Sequence, residues 1–205
     1  DAKGLLCWAI ADDNPVVIIE HRWLHSLSGN VPEGYFELPL DGPRVVCAGS
    51  DATVVATSHM TLEAIRAAEA LKQIDLNVEV IDLRVLRPLN CAPIAESIRR
   101  TGRLITVDTG WTTYGIGAEI VAQMSTSEFS SLKVAPIRLG MAEHPTPSSR
   151  GLIEGFYPDA ISIARAIGQS LAVDAAKIDK VCDTLTQERG DLPIDVPDPF
   201  FKGPF

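Results

Sequence analysis

The 205-residue sequence has no uncharged apolar run near the ~20 residues that a membrane-crossing helix needs. No basic, apolar, small-residue leader opens it, so no export signal is read. Clustered cations are missing too: 18 basic residues lie scattered against 27 acidic ones, a formal charge of −9. Phosphate backbones call for clustered Lys and Arg, which argues against nucleic acid as a partner. The acidity reads instead as solubility, with attraction for a basic partner surface. Cysteine is scarce, and Cys7, Cys47, Cys91 and Cys182 stand too far apart for a zinc knuckle or a redox motif. Free thiols in a reducing compartment are expected, the cytoplasm first, although a protein imported into the mitochondrial matrix reads the same after processing. What remains is ordinary for a globular chain: 46% hydrophobic and 22% charged residues, in a length that suits one or two domains. The sequence opens on Asp1 and reads as structured at once, so an upstream part is expected.

Residues 5–11 (LLCWAIA) predict a helix that closes at the polar corner Asp12-Asp13-Asn14-Pro15. The run VVII at 16–19 is continuously apolar and β-branched, as a strand buried on both faces would be. Residues 21–43 mix Gly, Pro and aromatics without period and read as a linker. From Arg44 onward strands and helices alternate. Strands are predicted at RVVCAG, 53–58, 78–83, 103–108 and 135–140; helices at 60–72, 92–100, 117–124 and 160–171. That alternation implies an α/β fold, a doubly wound, mostly parallel five-stranded sheet with helices on both faces. The last 34 residues differ: 173–188 suit one more helix, and LPIDVPDPFFKGPF is a Pro- and Phe-rich arm unfit for a central strand. The expected organisation is 1–22 as the end of a preceding domain, 23–43 as linker, 44–171 as the main domain and 172–205 as helix and arm.

The chemistry is sparse. His21 and His25 follow the 16–19 strand, where α/β sheets place ligands, yet no acidic third ligand stands near, so surface or interface roles are favoured over a metal. Ser58-His59 lies at a strand-to-helix turn; sequence neighbours rarely form a catalytic dyad, and capping by Ser58 or Thr61 is the expected role. His144 sits in a proline loop and reads as structural. The segment GWTTYGIGAE (110–119) lacks full dinucleotide-loop spacing. Its Gly115 and Gly117 are read as allowing close helix–sheet approach, with anion binding at the exposed N–H groups as the rival. Glu20, Asp82 and Asp108 end strands, with Arg84, Arg87 and Arg103 available to pair them.

Several blocks, in order, are familiar. DAKGLLCWAIADDNPVVIIEH resembles the end of the pyrimidine-binding domain in β subunits of 2-oxo acid dehydrogenases. EVIDLRVLRPLN, TGRLITVDTGWTTYGIGAEI, VAPIRLG and HPTPSS resemble successive parts of their carboxy-terminal, transketolase-type domain. The likeness runs from Asp1 to about Leu171.

The resemblance implies part of an α2β2 or fused enzyme that decarboxylates a 2-oxo acid on thiamin diphosphate and magnesium and passes the acyl group to a lipoyl carrier. It implies an α subunit or domain, a second β copy and a lipoyl acyltransferase core as partners. The family's catalytic and cofactor-binding residues precede the point matching Asp1, so this stretch is expected to direct assembly and be inactive alone. The resemblance also implies potassium at the AIADDNP loop through Ala9, Asp12 and Asn14; a helix end capped by Asn14 is the equal alternative. His21 and Arg22 fall where related enzymes line a substrate channel, and Arg22 either favours an anionic substrate or faces solvent. Lys133 stands where an acidic core-docking residue is usual, and the 34-residue extension is a second departure; both put docking to a lipoyl core in question. The rival functions are a transketolase or deoxyxylulose-phosphate synthase fragment, and a non-catalytic anion- or partner-binding module.

Overall fold

A computed structural model describes residues 1–193 and Val196. The sheet is built on β2 (Ala52–Ala56), buried along its whole length. It pairs in parallel with β3 (Val78–Asp82) on one edge and β4 (Leu104–Trp111) on the other. β5 (Ile137–Met141) adds in parallel to β4. β1 (Arg44–Cys47) closes the far edge of β3 and runs antiparallel, giving the order β1-β3-β2-β4-β5. The reversal follows from the short Gly49-Ser50-Asp51 corner before β2: parallel strands need a crossover of a dozen or more residues, and this link has no room for one. A Cβ on Gly49 would lie 2.2 Å from the Val78 carbonyl carbon, so the corner tolerates no side chain.

Alternating side chains feed two cores. Ala52, Val54, Ala56, Val78 and Val80 face α2 (His59–Leu71), α5 (Ala160–Ser170) and α6 (Ala175–Arg189). Val55 and Ile81 point the other way, where Leu104 joins them against α3 (Ala92–Thr101) and α4 (Ile116–Ser127). Thr53 breaks the apolar run, and its buried hydroxyl bonds Ser97 Oγ at 2.6 Å and Thr101 Oγ1 at 2.7 Å on α3. The predicted α/β, mostly parallel five-stranded architecture is therefore the one observed.

The amino-terminal region departs from expectation. α1 (Ala2–Ala11) forms, but residues 16–19 are not a buried strand: they carry no strand pairing, and Val17 is 84% and Ile19 81% exposed. A two-face-buried strand needs a partner on each edge for its N–H and C=O groups, and both neighbours of every inner strand in this sheet are already filled. The surrounding segment is nonetheless tied down. Leu38 N–H donates to Gly4 O at 3.1 Å. The Arg84 guanidinium reaches Asp41 Oδ1 and Gly42 O, both at 2.8 Å, and Asp1 at 3.5 Å. Of the Pro- and Phe-rich arm, 194, 195 and 197–205 lie outside the described residues. No helix among the described residues is long and apolar enough to cross a membrane.

Candidate functional site

Strand order reverses between β2 and β4, so their carboxyl ends form the crevice where doubly wound sheets hold ligands. Thr57 leaves β2 with its N–H on Val107 O at 3.3 Å and its hydroxyl on Asp108 Oδ1 at 2.7 Å. Asp108 is thus held by a threonine rather than an arginine. Ser58 then turns the chain at φ 51°, and α2 starts at His59.

The expected cap is not made. Ser58 holds the N-cap position without a side-chain bond, because a φ of 51° lies outside the extended region that aims a cap oxygen at the helix. Thr61 is drawn elsewhere, donating to Asp82 Oδ1 at 3.3 Å. Burial pushes the Asp82 carboxyl up, against the opposing pull of the Arg84 N–H, the Thr61 hydroxyl and the Arg84 and Arg44 charges. Arg84 meets Asp82 only through its backbone N–H at 3.4 Å, since its guanidinium serves Asp41 and Gly42. Arg103 also declines the predicted pairing and donates to Ser170 O at 2.9 Å; Arg87 is exposed.

The buried His59 ring stacks on His21, with centroids 5.2 Å apart and planes at 24°. Trp23 presents an edge to His59 at 5.0 Å and to His21 at 5.5 Å. His21 also caps the 3-10 turn Arg22–Ser26, its Nδ1 accepting from Trp23 N–H at 3.3 Å. Burial lowers the His21 pKa from its ordinary 6.5. His59 Nε2 lies 3.8 Å from Glu63 Oε1. Glu63 is buried, takes Arg66 Nη1 at 2.8 Å, and accepts the Ala160 N–H at 2.9 Å, so α2 supplies a carboxylate to the start of α5. Asp159 completes that helix start with a capping box to Ser162. His21, Trp23, His59, Glu63 and Tyr157 line a cleft of about 800 Å³.

Sequence reasoning had His21 and His59 as separate residues and missed Trp23 and Glu63. Glu63 carried a signal: it falls on the α2 face that buries Met60, Ala64, Ala67 and Leu71, where an unpaired acid would be costly. The other candidates lie apart. His25 pairs with Glu20 at 3.0 Å on the surface and does not join His21. Arg22 is exposed. His144 sits in its proline loop, its ring 4.9 Å from Phe156. Among the described residues no three His, Cys, Asp or Glu side chains gather as a metal site.

In the AIADDNP loop, Asp12 closes α1 and its Oδ1 accepts from both Asn14 N–H (2.7 Å) and Asn14 Nδ2 (3.0 Å). Asp12 therefore does the work expected of Asn14 as a cap. Ala9 stands in the last turn of that helix, where the Trp8 carbonyl already takes the Asp12 N–H. In the 110–119 segment, a Cβ on Gly117 would sit 2.7 Å from Thr106 Oγ1, which explains that glycine as a close helix–strand approach. Trp111 and Tyr114 project outward there, Tyr114 fully exposed. Lys133 lays its stem over Gly102 and its Nζ on Thr101 O at 3.4 Å, serving the end of α3. All four cysteines are free, and burial pushes the Cys47, Cys91 and Cys182 thiols up.

Residues 43–163 match the transketolase, C-terminal domain family. The chain belongs to that family. Over 172 residues it is 37% identical to the acetoin:2,6-dichlorophenolindophenol oxidoreductase subunit beta of Cupriavidus necator, covering 83% of this chain and 51% of that one. It is 39% identical over 163 residues to the pyruvate dehydrogenase E1 component subunit beta of Gracilaria tenuistipitata var. liui, covering 78% and 50%. The chain thus spans about half the length of the curated relatives it matches. A split-gene transketolase, solved as an inactive beta4 tetramer, superposes with a TM-score of 0.59 at 24% identity, over 70% of this chain and 47% of that one, a likeness of fold. Within the transketolase C-terminal domain, the match starts one residue before β1 and takes in His59 and Glu63; His21 and Trp23 reach the site from outside it.

Proposed function

We propose that this chain is the carboxy-terminal, assembly-directing part of the β subunit of a thiamin-diphosphate-dependent 2-oxo acid dehydrogenase. The likeness at 37–39% identity to proteins named as β subunits of a pyruvate dehydrogenase and an acetoin oxidoreductase carries this reading. The whole enzyme decarboxylates a 2-oxo acid and transfers the acyl group to lipoamide. Thiamin diphosphate and magnesium bind mainly outside this chain. Residues 1–22 end a preceding pyrimidine-binding domain, 23–43 link, 44–171 form the assembly domain and 172–205 extend it. The exposed apolar run at 16–19 fits that division, because such a sequence belongs inside a sheet whose other strands lie elsewhere. Potassium at Ala9, Asp12 and Asn14 would brace the same junction through its oxygens. An α subunit and a second β copy are the expected partners, a lipoyl core a further one, with His21 and Arg22 nearest the substrate channel. The compartment is the cytoplasm or the mitochondrial matrix.

The test is reconstitution of the full gene product with an α subunit from the same source, assayed by dye reduction with pyruvate, branched-chain 2-oxo acids and acetoin. Activity that requires both subunits, thiamin diphosphate and magnesium is expected. Cleavage of sugar phosphates instead would move the protein to the transketolases. A complex that binds no thiamin diphosphate would leave a binding module.

A further inference from the structure

The His21–Trp23–His59 cluster joins two parts of the chain that sequence alone separates. His59 is buried at the first turn of α2. His21 and Trp23 come from the segment that links α1 to β1 and belong to no strand or α-helix. The contact between them is one ring stacked on another and one edge packed on both.

This contact requires a neutral His21. Its Nδ1 accepts the Trp23 N–H at 3.3 Å, and a protonated nitrogen has no lone pair to offer. A charge on His21 would also stand over the first turn of α2, the positive end of the helix dipole, with the His59 ring 5.2 Å away. The anions nearby are already engaged. Glu63 of α2 serves Arg66 and the Ala160 N–H. Asp159, ahead of α5, accepts from Ser162 N–H at 2.8 Å. From α6, Glu188 lines the same cleft beside Arg189, so that wall brings both signs.

We propose that this cluster is an acid-released latch: neutral His21 holds the Arg22–Ser26 turn, and the linker behind it, against α2, and protonation of His21 lets that turn go. The direction is fixed by linkage. Burial lowers the docked pKa below the ordinary 6.5, so the released state binds the proton more tightly. Docking is complete above pH 6.5 and weakens as pH falls through 6.5 toward the lowered value. In a protein that joins subunits, such a turn would loosen the seam between the amino-terminal segment and the transketolase-type domain on acidification.

Amide hydrogen exchange on the full chain from pH 5 to 8, corrected for the intrinsic pH dependence of exchange, reads this directly. Protection of residues 22–27 is expected to be flat above pH 6.5 and to fall below it with a slope approaching about tenfold per pH unit, the limit for one proton. Protection of α3 in the same spectra should stay level, which separates release from unfolding. His21→Asn keeps an acceptor at the cap but cannot titrate, and should abolish the slope. His59→Phe keeps a ring to stack on and should preserve it. A level wild-type profile, a slope that survives His21→Asn, or a parallel loss in α3 would each overturn the latch.

Discussion

At the scale of single residues, the buried Glu63 and the half-buried Asp82 behave in opposite ways. Glu63 is fully engaged, by Arg66, the Ala160 N–H and the nearby His59. Removing it strands a buried backbone donor at the start of α5, which costs about 1–3 kcal/mol. Glu63→Ala should therefore lower the unfolding free energy read from urea titration by that amount, and Glu63→Gln, which still accepts from Ala160, by clearly less. Equal losses for the two would mean that the Ala160 bond contributes nothing. Asp82 is the reverse case, a carboxyl whose burial outweighs its hydrogen bonds and raises its pKa above the ordinary 3.8. A raised folded pKa means the folded state holds the proton more tightly. Its contribution is thus present below pH 3.8 and lost as pH rises from there through the folded value. Asp82→Asn keeps the acceptor for Thr61 and removes the charge. Relative to wild type it should gain stability across that window and keep the gain at neutral pH, as read by denaturant titrations at several pH values. A variant less stable than wild type at pH 7 would show that the Arg84 and Arg44 charges outweigh burial.

At the scale of elements, the sheet is constrained where backbones meet. A Cβ at Gly49 would stand against the Val78–Glu79 peptide, 2.2 Å from its carbon and 2.3 Å from its nitrogen. Gly49→Ala must push β1 and β3 apart, and overpacking of this kind costs about 1–3 kcal/mol. A thermal melt within error of wild type would contradict it. Helices and inner strands were legible because their signals are local. β2 and β3 are short β-branched runs buried on both faces, and the apolar stripes of α2 and α5 share Ala68, Leu71, Ala164 and Ile167 with the faces they bury, although those faces are turned toward Met60, Ala64 and Ala67 in α2 and Ile163 and Ala166 in α5. Three features were not legible, each for a reason beyond local pattern. The direction of β1 depends on a corner too short for a crossover. The 16–19 run has strand chemistry, but pairing is set by partners and not by the run itself. At the candidate site, His21 and His59 meet through the path of a linker without period, and no spacing rule joins them. Only Glu63 could have been found, as an acid on an apolar helix face.

At the scale of the whole molecule, the surface carries what the cores do not. Val17 and Ile19, 84% and 81% exposed, belong to a continuous apolar run at 16–19, and Ile10 is likewise 77% exposed. Long exposed strand-like runs are templates for pairing with another chain, and proteins normally cover or charge them. Residues 16–19 themselves carry no charge and no proline, so the run is blunted only at its start, by Asp13 and Pro15. Kept apart from any partner, the 205-residue chain should self-associate through this run, and sedimentation over a range of concentrations should show a species larger than 22.1 kDa. The double substitution Val17→Asp, Ile19→Asp places charge on the pairing edge without touching either core. It should shift the chain toward monomer while changing the stability of the folded domain by no more than about 0.5 kcal/mol, as expected for exposed sites. If the substituted chain associates as strongly as wild type, the contact lies elsewhere, with the exposed Trp111 at the end of β4 and Tyr114 on the loop that follows as the next surface to charge. Unfolding of the domain by the substitutions would place the run in the core instead of at a contact surface. Monomer with unchanged stability would locate the self-association surface in the 16–19 run.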